Sequence, residues 1–116
     1  LGTPIEGQQY NYVDDIEVSD KKMYQRGDHF NKHGRAMGYA NQKEYEAGAR
    51  EFINKYKYDG EIYEGKWTGS GIFHKKMQIC IRGDGKQVII SKETGQIVDF
   101  YDYNGGSGLV NIRRIQ

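Results

Sequence analysis

Cysteine, proline and long apolar runs are nearly absent from this chain, and each absence removes a class of protein. The lone cysteine, Cys80, rules out an internal disulfide framework, so the folded state rests on packing. Inside Ile79-Cys80-Ile81 it reads as a small strand hydrophobe rather than a nucleophile. No apolar stretch approaches the roughly 20 residues that a membrane-spanning helix needs. The opening Leu1-Gly2-Thr3-Pro4-Ile5 holds the one proline and has neither an initiating Met nor the layout of a signal peptide. The chain reads as a piece cut from something larger.

What is present describes one folded domain over residues 1–116. An aromatic content of 13%, with Trp67, four Phe and ten Tyr, gives the bulk for a single core and too many rings for disorder. The net charge of +1 hides an asymmetry. Residues 1–28 hold three Lys/Arg against six Asp/Glu, a balance of −3, and residues 29–116 hold fourteen against ten, a balance of +4. The basic part suits either an anionic ligand or a merely solvated surface.

Residues 1–20 have no clear period and read as an extended lead-in, dispensable for folding, with one short helix near Asp20 to Gln25. Helices are expected over 28–58. Asp28 is placed to cap the first, and Phe30 to anchor it in the core. Asn41-Gln42-Lys43-Glu44 has the form of a capping box for the second. Tyr45, Ala49, Phe52, Ile53 and Tyr56 then make one apolar stripe, which Asp59-Gly60 ends. From 61 to 116, short β-type runs alternate with glycine turns, and the clearest hairpin crosses Gly83-Asp84-Gly85. The expected fold class is α+β, with N-terminal helices packed on one face of a four- to five-stranded antiparallel meander. Alternation puts Met77, Ile79, Ile81, Val98 and Phe100 under the helices, and Arg82, Asp99 and Tyr101 on the opposite face.

The stretch Asp28-His29-Phe30-Asn31-Lys32-His33-Gly34-Arg35 concentrates two of the three histidines beside two cations. On a helix, His29 and His33 share a face, with Cβ atoms about 5–6 Å apart. Metal-free cleavage of an RNA phosphodiester needs a base for the 2′-hydroxyl proton, an acid for the 5′ leaving oxygen, and donors for the anionic phosphorane. Histidine suits the first two because both its forms are populated near neutral pH. Arg82, Thr94 and Tyr101 are candidates for the third. Lys32 and Arg35, and His74 with Lys75 in a second basic patch, are candidate RNA-phosphate contacts.

Rival chemistries find less support. A zinc-protease helix reads His-Glu-x-x-His, but Phe30 follows His29, and neither His74 nor Cys80 has the spacing of a third ligand. No metal and no other cofactor is expected. Gly65 to Gly71 is not a phosphate-binding loop, and no serine sits in a Gly-x-Ser-x-Gly elbow. A non-catalytic module that docks an acidic protein through the basic face stands as the alternative, with a metal-dependent nuclease behind it.

Several motifs carry a family resemblance. They are His29-Phe30-Asn31-Lys32-His33-Gly34 with Gly38, the Glu44-Tyr45 helix with Ala49 and Phe52, and Lys92-Glu93-Thr94-Gly95-Gln96-Ile97-Val98-Asp99-Phe100-Tyr101. Together, over roughly residues 28–102, they resemble the C-terminal ribonuclease toxin domains of bacterial contact-dependent growth inhibition systems. These belong to the broad group named for barnase, EndoU, colicin nucleases and RelE. The resemblance implies helices on an antiparallel sheet, metal-independent cleavage of RNA, often tRNA, and a toxin that is a monomer when free. It implies neutralisation by a cognate, acidic immunity protein, and export as the tip of a long cell-surface protein delivered to the target-cell cytoplasm. Carried over by position, it assigns catalysis to His29, His33 and Thr94, with Arg82 and Tyr101 beside them.

Overall fold

The computed structural model describes residues 16–105 and 108–116; residues 1–15 of the expected lead-in lie outside them. In chain order the elements are helix α1 (Arg26–His29), a π-helical turn (Phe30–Gly34) and helix α2 (Gln42–Asp59), followed by five strands. The strands are β1 (Glu61–Trp67), β2 (Met77–Gly83), β3 (Lys86–Ser91), β4 (Ile97–Asp102) and β5 (Leu109–Arg114). All pair antiparallel in one sheet of order β4-β3-β2-β1-β5, so the class is α+β.

Helix α2 forms where its stripe and cap say it should. Asn41 Oδ1 accepts from Glu44 N at 2.9 Å, and Glu44 Oε2 accepts in return from Ala40 N at 3.2 Å. Its Tyr45, Ala49, Phe52 and Ile53 are buried against Ile62, Ile79, Ile81, Val88, Ile90, Ile97 and Phe100 of the sheet. Each buried Val, Ile or Phe among them contributes about 1.5–3 kcal/mol of burial. Between β2 and β3, Asp84 and Gly85 both take positive φ (50° and 72°), the two-residue turn whose twist matches the strands.

Three features depart from the sequence expectation. First, residues 20–25 form bends and a turn rather than a helix, and α1 starts at Arg26 with Gln25, not Asp28, at its cap. The backbone here is committed to the sheet edge: Ser19 N donates to Gly95 O at 2.8 Å and Tyr24 N to Ile97 O at 2.9 Å. Ile16 and Val18 pack on the core and Met23 is buried in it, so this part of the lead-in belongs to the fold. Second, the sheet is not a simple meander, because β5 pairs with β1. The free side of β4, where a meander would have continued, already holds residues 19–24.

Third, β4 carries a bulge. Ile89 pairs with Asp99 and Ile90 with Ile97, which leaves Val98 as an extra residue. Val98 therefore joins Cys80 and Ile89 in a second core on the face away from α2, together with Phe73 and Leu109. Asp99 and Tyr101 share that face with their partners Ile89 and Gln87, while Phe100 stays under the helices.

Candidate active site

The site begins with the turn that follows α1. Arg35 N donates to Phe30 O at 3.0 Å, five residues back, which widens the helix into a π-turn. Phe30 and Gly34 are buried on its inner side; a Cβ on Gly34 would lie 2.6 Å from the Phe30 ring and 2.8 Å from Tyr45. This close seating against the edge strand lets His29 and His33 reach Asp99 on β4.

Asp99 Oδ1 lies 3.7 Å from His29 Nδ1 and 3.8 Å from His33 Nε2. The same oxygen accepts from Phe100 N at 2.8 Å, which fixes the carboxylate. The two imidazoles, with ring centroids 6.3 Å apart, thus turn opposite nitrogens to one carboxylate. His29 Nδ1 is buried and makes no hydrogen bond among the described residues. His33 stacks at a tilt on Tyr101, centroids 5.2 Å apart, and Tyr24 stands beyond His29 at 6.4 Å.

Burial sets the charge states. It holds His29 below the usual imidazole range against the pull of the Tyr24 main chain, and the charge of Lys32 adds to it. Burial also lowers His33; Asp99 opposes, and Lys32 and His29 reinforce the lowering. The Asp99 carboxyl is pushed up by burial to about 6, with His33 drawing it back down. At neutral pH the site therefore holds two uncharged imidazoles around a carboxylate that binds a proton readily, the state a general base requires.

A chain of hydrogen bonds leads from Tyr101, whose ring meets His33, into the sheet. Gln87 Nε2 donates to the Tyr101 hydroxyl at 2.6 Å, and Gln87 Oε1 accepts from Arg82 Nε. The Arg82 guanidinium is clamped between the rings of Tyr63 and Tyr103, at 4.2 and 4.1 Å from their centroids. Arg82 thus joins the site through Gln87 and Tyr101 rather than by touching the histidines.

The other sequence candidates divide. Lys32 is exposed, yet its charge reaches all three titrating members of the trio. Thr94 lies in the β3–β4 turn, where its amide donates to Ser91 Oγ and its Oγ1 accepts from Gln96 N, so its hydroxyl serves the turn. Arg35 is held over the Phe30 ring and donates to Asn31 Oδ1, fastening the π-turn. His74 and Lys75 line a separate cavity beside Trp67. Asp99, Gln87 and Tyr24 are members that sequence reasoning did not name as site residues. For Asp99 the available signal was a carboxylate inside Val98-Asp99-Phe100, since aspartate is depleted in strands.

No protein-family model matches this chain, and neither a curated protein nor a solved structure matches it.

Proposed function

We propose that this chain is a ribonuclease toxin domain that cleaves RNA by attack of the 2′-hydroxyl on the adjacent phosphate. The observation that carries this reading is the seating of one buried carboxylate beside two imidazoles, His29 and His33, with the Tyr101 ring against His33. One imidazole, neutral, takes the 2′-hydroxyl proton as the O2′–P bond forms; the other, in the molecules where it carries a second proton, gives that proton to O5′ as the P–O5′ bond breaks. The products are a 2′,3′-cyclic phosphate and a 5′-hydroxyl. His33, with 22% of its side chain exposed against 12% for His29, is the more accessible to substrate. The Asp99 charge favours the protonated form of His33, Tyr101 donates to the phosphorane, and Lys32 adds positive charge beside the histidines. Arg82 acts as a positioning residue, and Thr94 is left out of the constellation.

Transfer RNA as substrate, toxicity to neighbouring cells, delivery from an exported protein and neutralisation by an acidic immunity protein extend this reading. They are supported by the motif resemblance and by the +4 balance of residues 29–116.

The test is cleavage of total tRNA in EDTA by wild type, His29→Ala and His33→Ala. Each substitution is expected to cost about 10²- to 10⁴-fold in rate. Full activity in both variants overturns the site, and activity that EDTA abolishes restores a metal-dependent nuclease. No turnover by wild type, with salt-sensitive binding to an acidic protein that neither variant changes, favours the docking module.

A further inference from the structure

Trp67 is the only tryptophan in the chain and the last residue of β1. Its amide donates to Lys76 O and its carbonyl accepts from Lys75 N, both at 3.0 Å, so residues 68–75 form a closed loop whose returning limb stands beside the indole. The loop drives Phe73 into the second core and leaves His74 and Lys75 outside. His74 Nδ1 bonds Gly69 O at 2.9 Å, which fixes the ring. Lys75 is held at φ 62°, in the left-handed region that side chains other than Gly, Asn and Asp seldom adopt.

The result is a cavity of about 340 Å³ lined by Lys66, Trp67, Thr68, His74, Lys75 and Val110. Trp67, whose ring is partly buried against the second core, and Val110 supply apolar lining, two lysines and a histidine flank them, and no carboxylate is in the lining among the described residues. A flat aromatic ring that carries negative charge fits this chemistry. The cavity is also tied to the catalytic residues: Phe73 meets the Tyr24 ring edge-on at 4.9 Å, and Tyr24 leans on His29 at 6.4 Å.

We infer that Trp67 and its loop form a nucleotide subsite, which stacks one base of a single-stranded RNA on the indole and holds its phosphates with Lys66 and Lys75. This rests on the ribonuclease reading above. Among the described lining residues there is no Asn, Gln, Asp or Glu to read a base edge, so the grip rests on stacking and charge, which tolerate any sequence.

Because Trp67 is the sole tryptophan, its emission reports the subsite directly. The probe is a short 2′-O-methyl oligoribonucleotide, which has no free 2′-hydroxyl and stays intact. Saturable quenching and protection of Trp67 from acrylamide are expected. Lys66→Ala and Lys75→Ala are each expected to reduce the salt dependence of log K by about one. By anisotropy of a labelled oligonucleotide, Trp67→Leu should weaken binding by roughly five- to a hundredfold. An oligonucleotide that binds without changing Trp67 emission overturns the subsite and leaves the ribonuclease reading standing. A mononucleotide that saturates as tightly as the oligonucleotide overturns the strand-gripping role. Absence of both binding and tRNA cleavage by wild type overturns the two readings together.

Discussion

Gln87 donates to the Tyr101 hydroxyl because Arg82 leaves it no other orientation. An arginine offers only N–H donors, so the amide end that meets Arg82 Nε is the oxygen, and the NH₂ end faces Tyr101. The phenol oxygen is thereby an acceptor toward Gln87, and its own proton is directed away from Gln87. Arg82, immobilised between Tyr63 and Tyr103, sets the polarity of a hydroxyl it does not touch.

Gln87→Glu is expected to reverse that polarity. The variant carboxylate still accepts from Arg82, but it can only accept from Tyr101, which turns the phenol proton inward. Cleavage should fall by about the hundredfold expected for loss of one preorganised donor. Tyr101→Phe should cost the same, and the double variant should lose little more than either single one. Rates from the three variants, with thermal melts to verify folding, check this; additive losses refute it.

The pH dependence of cleavage should follow the imidazoles. Burial keeps His33 below its usual range while Asp99 pulls it up, so the acidic limb of kcat/KM is expected at a midpoint below about 6.5. Asp99→Asn removes the upward pull, and the limb should move to still lower pH as the rate falls. A pH–rate profile of the two proteins decides; a limb that moves to higher pH contradicts the assigned contact.

Asp99 should also be a site where function costs stability. Its carboxyl is raised to about 6 in the folded protein, whereas in the unfolded chain it ionises near about 3.9. Between these values the folded state holds a proton that the unfolded state has lost, so stability falls as pH rises through the window and levels off above it. Asp99→Asn lacks this loss. Its Tm should exceed that of wild type at pH 8, and the two should converge near pH 3. Melting curves across that range measure the difference, and a variant less stable at pH 8 would sink the claim.

Much of the scaffold was legible because it is written locally. The Asn41–Glu44 cap, the stripe from Tyr45 to Tyr56 and the Asp84-Gly85 turn each express a short-range rule, and all three are where the sequence puts them. The bulge at Val98 was not legible, since alternation assumes that every residue has a partner. Nor was the pairing of β5 with β1, which depends on the β4 edge being taken by residues 19–24. The site divides the same way. His29 and His33 stood out as neighbours in sequence, while Gln87 and Asp99 act through cross-strand and edge contacts that no local pattern encodes. Thr94, attractive as a motif residue, is occupied by its own turn.

Gly34 links packing to chemistry most directly. A methyl there would meet the rings of Phe30 and Tyr45, both buried, and Tyr45 is further tethered by its hydroxyl to the Phe100 carbonyl. Neither ring can yield, so Gly34→Ala forces the π-turn outward. The expected cost is about 1–3 kcal/mol, the usual range for overpacking. Because His33 is the preceding residue, the same displacement lengthens its 3.8 Å approach to Asp99, and kcat should fall although every catalytic side chain is retained. Ala36→Ser, on the exposed side of the following turn, is the control and should leave Tm and rate within error. Thermal melts paired with single-turnover cleavage separate the two effects: a Gly34→Ala protein that melts early yet cleaves at the wild-type rate would show that the turn does not position His33.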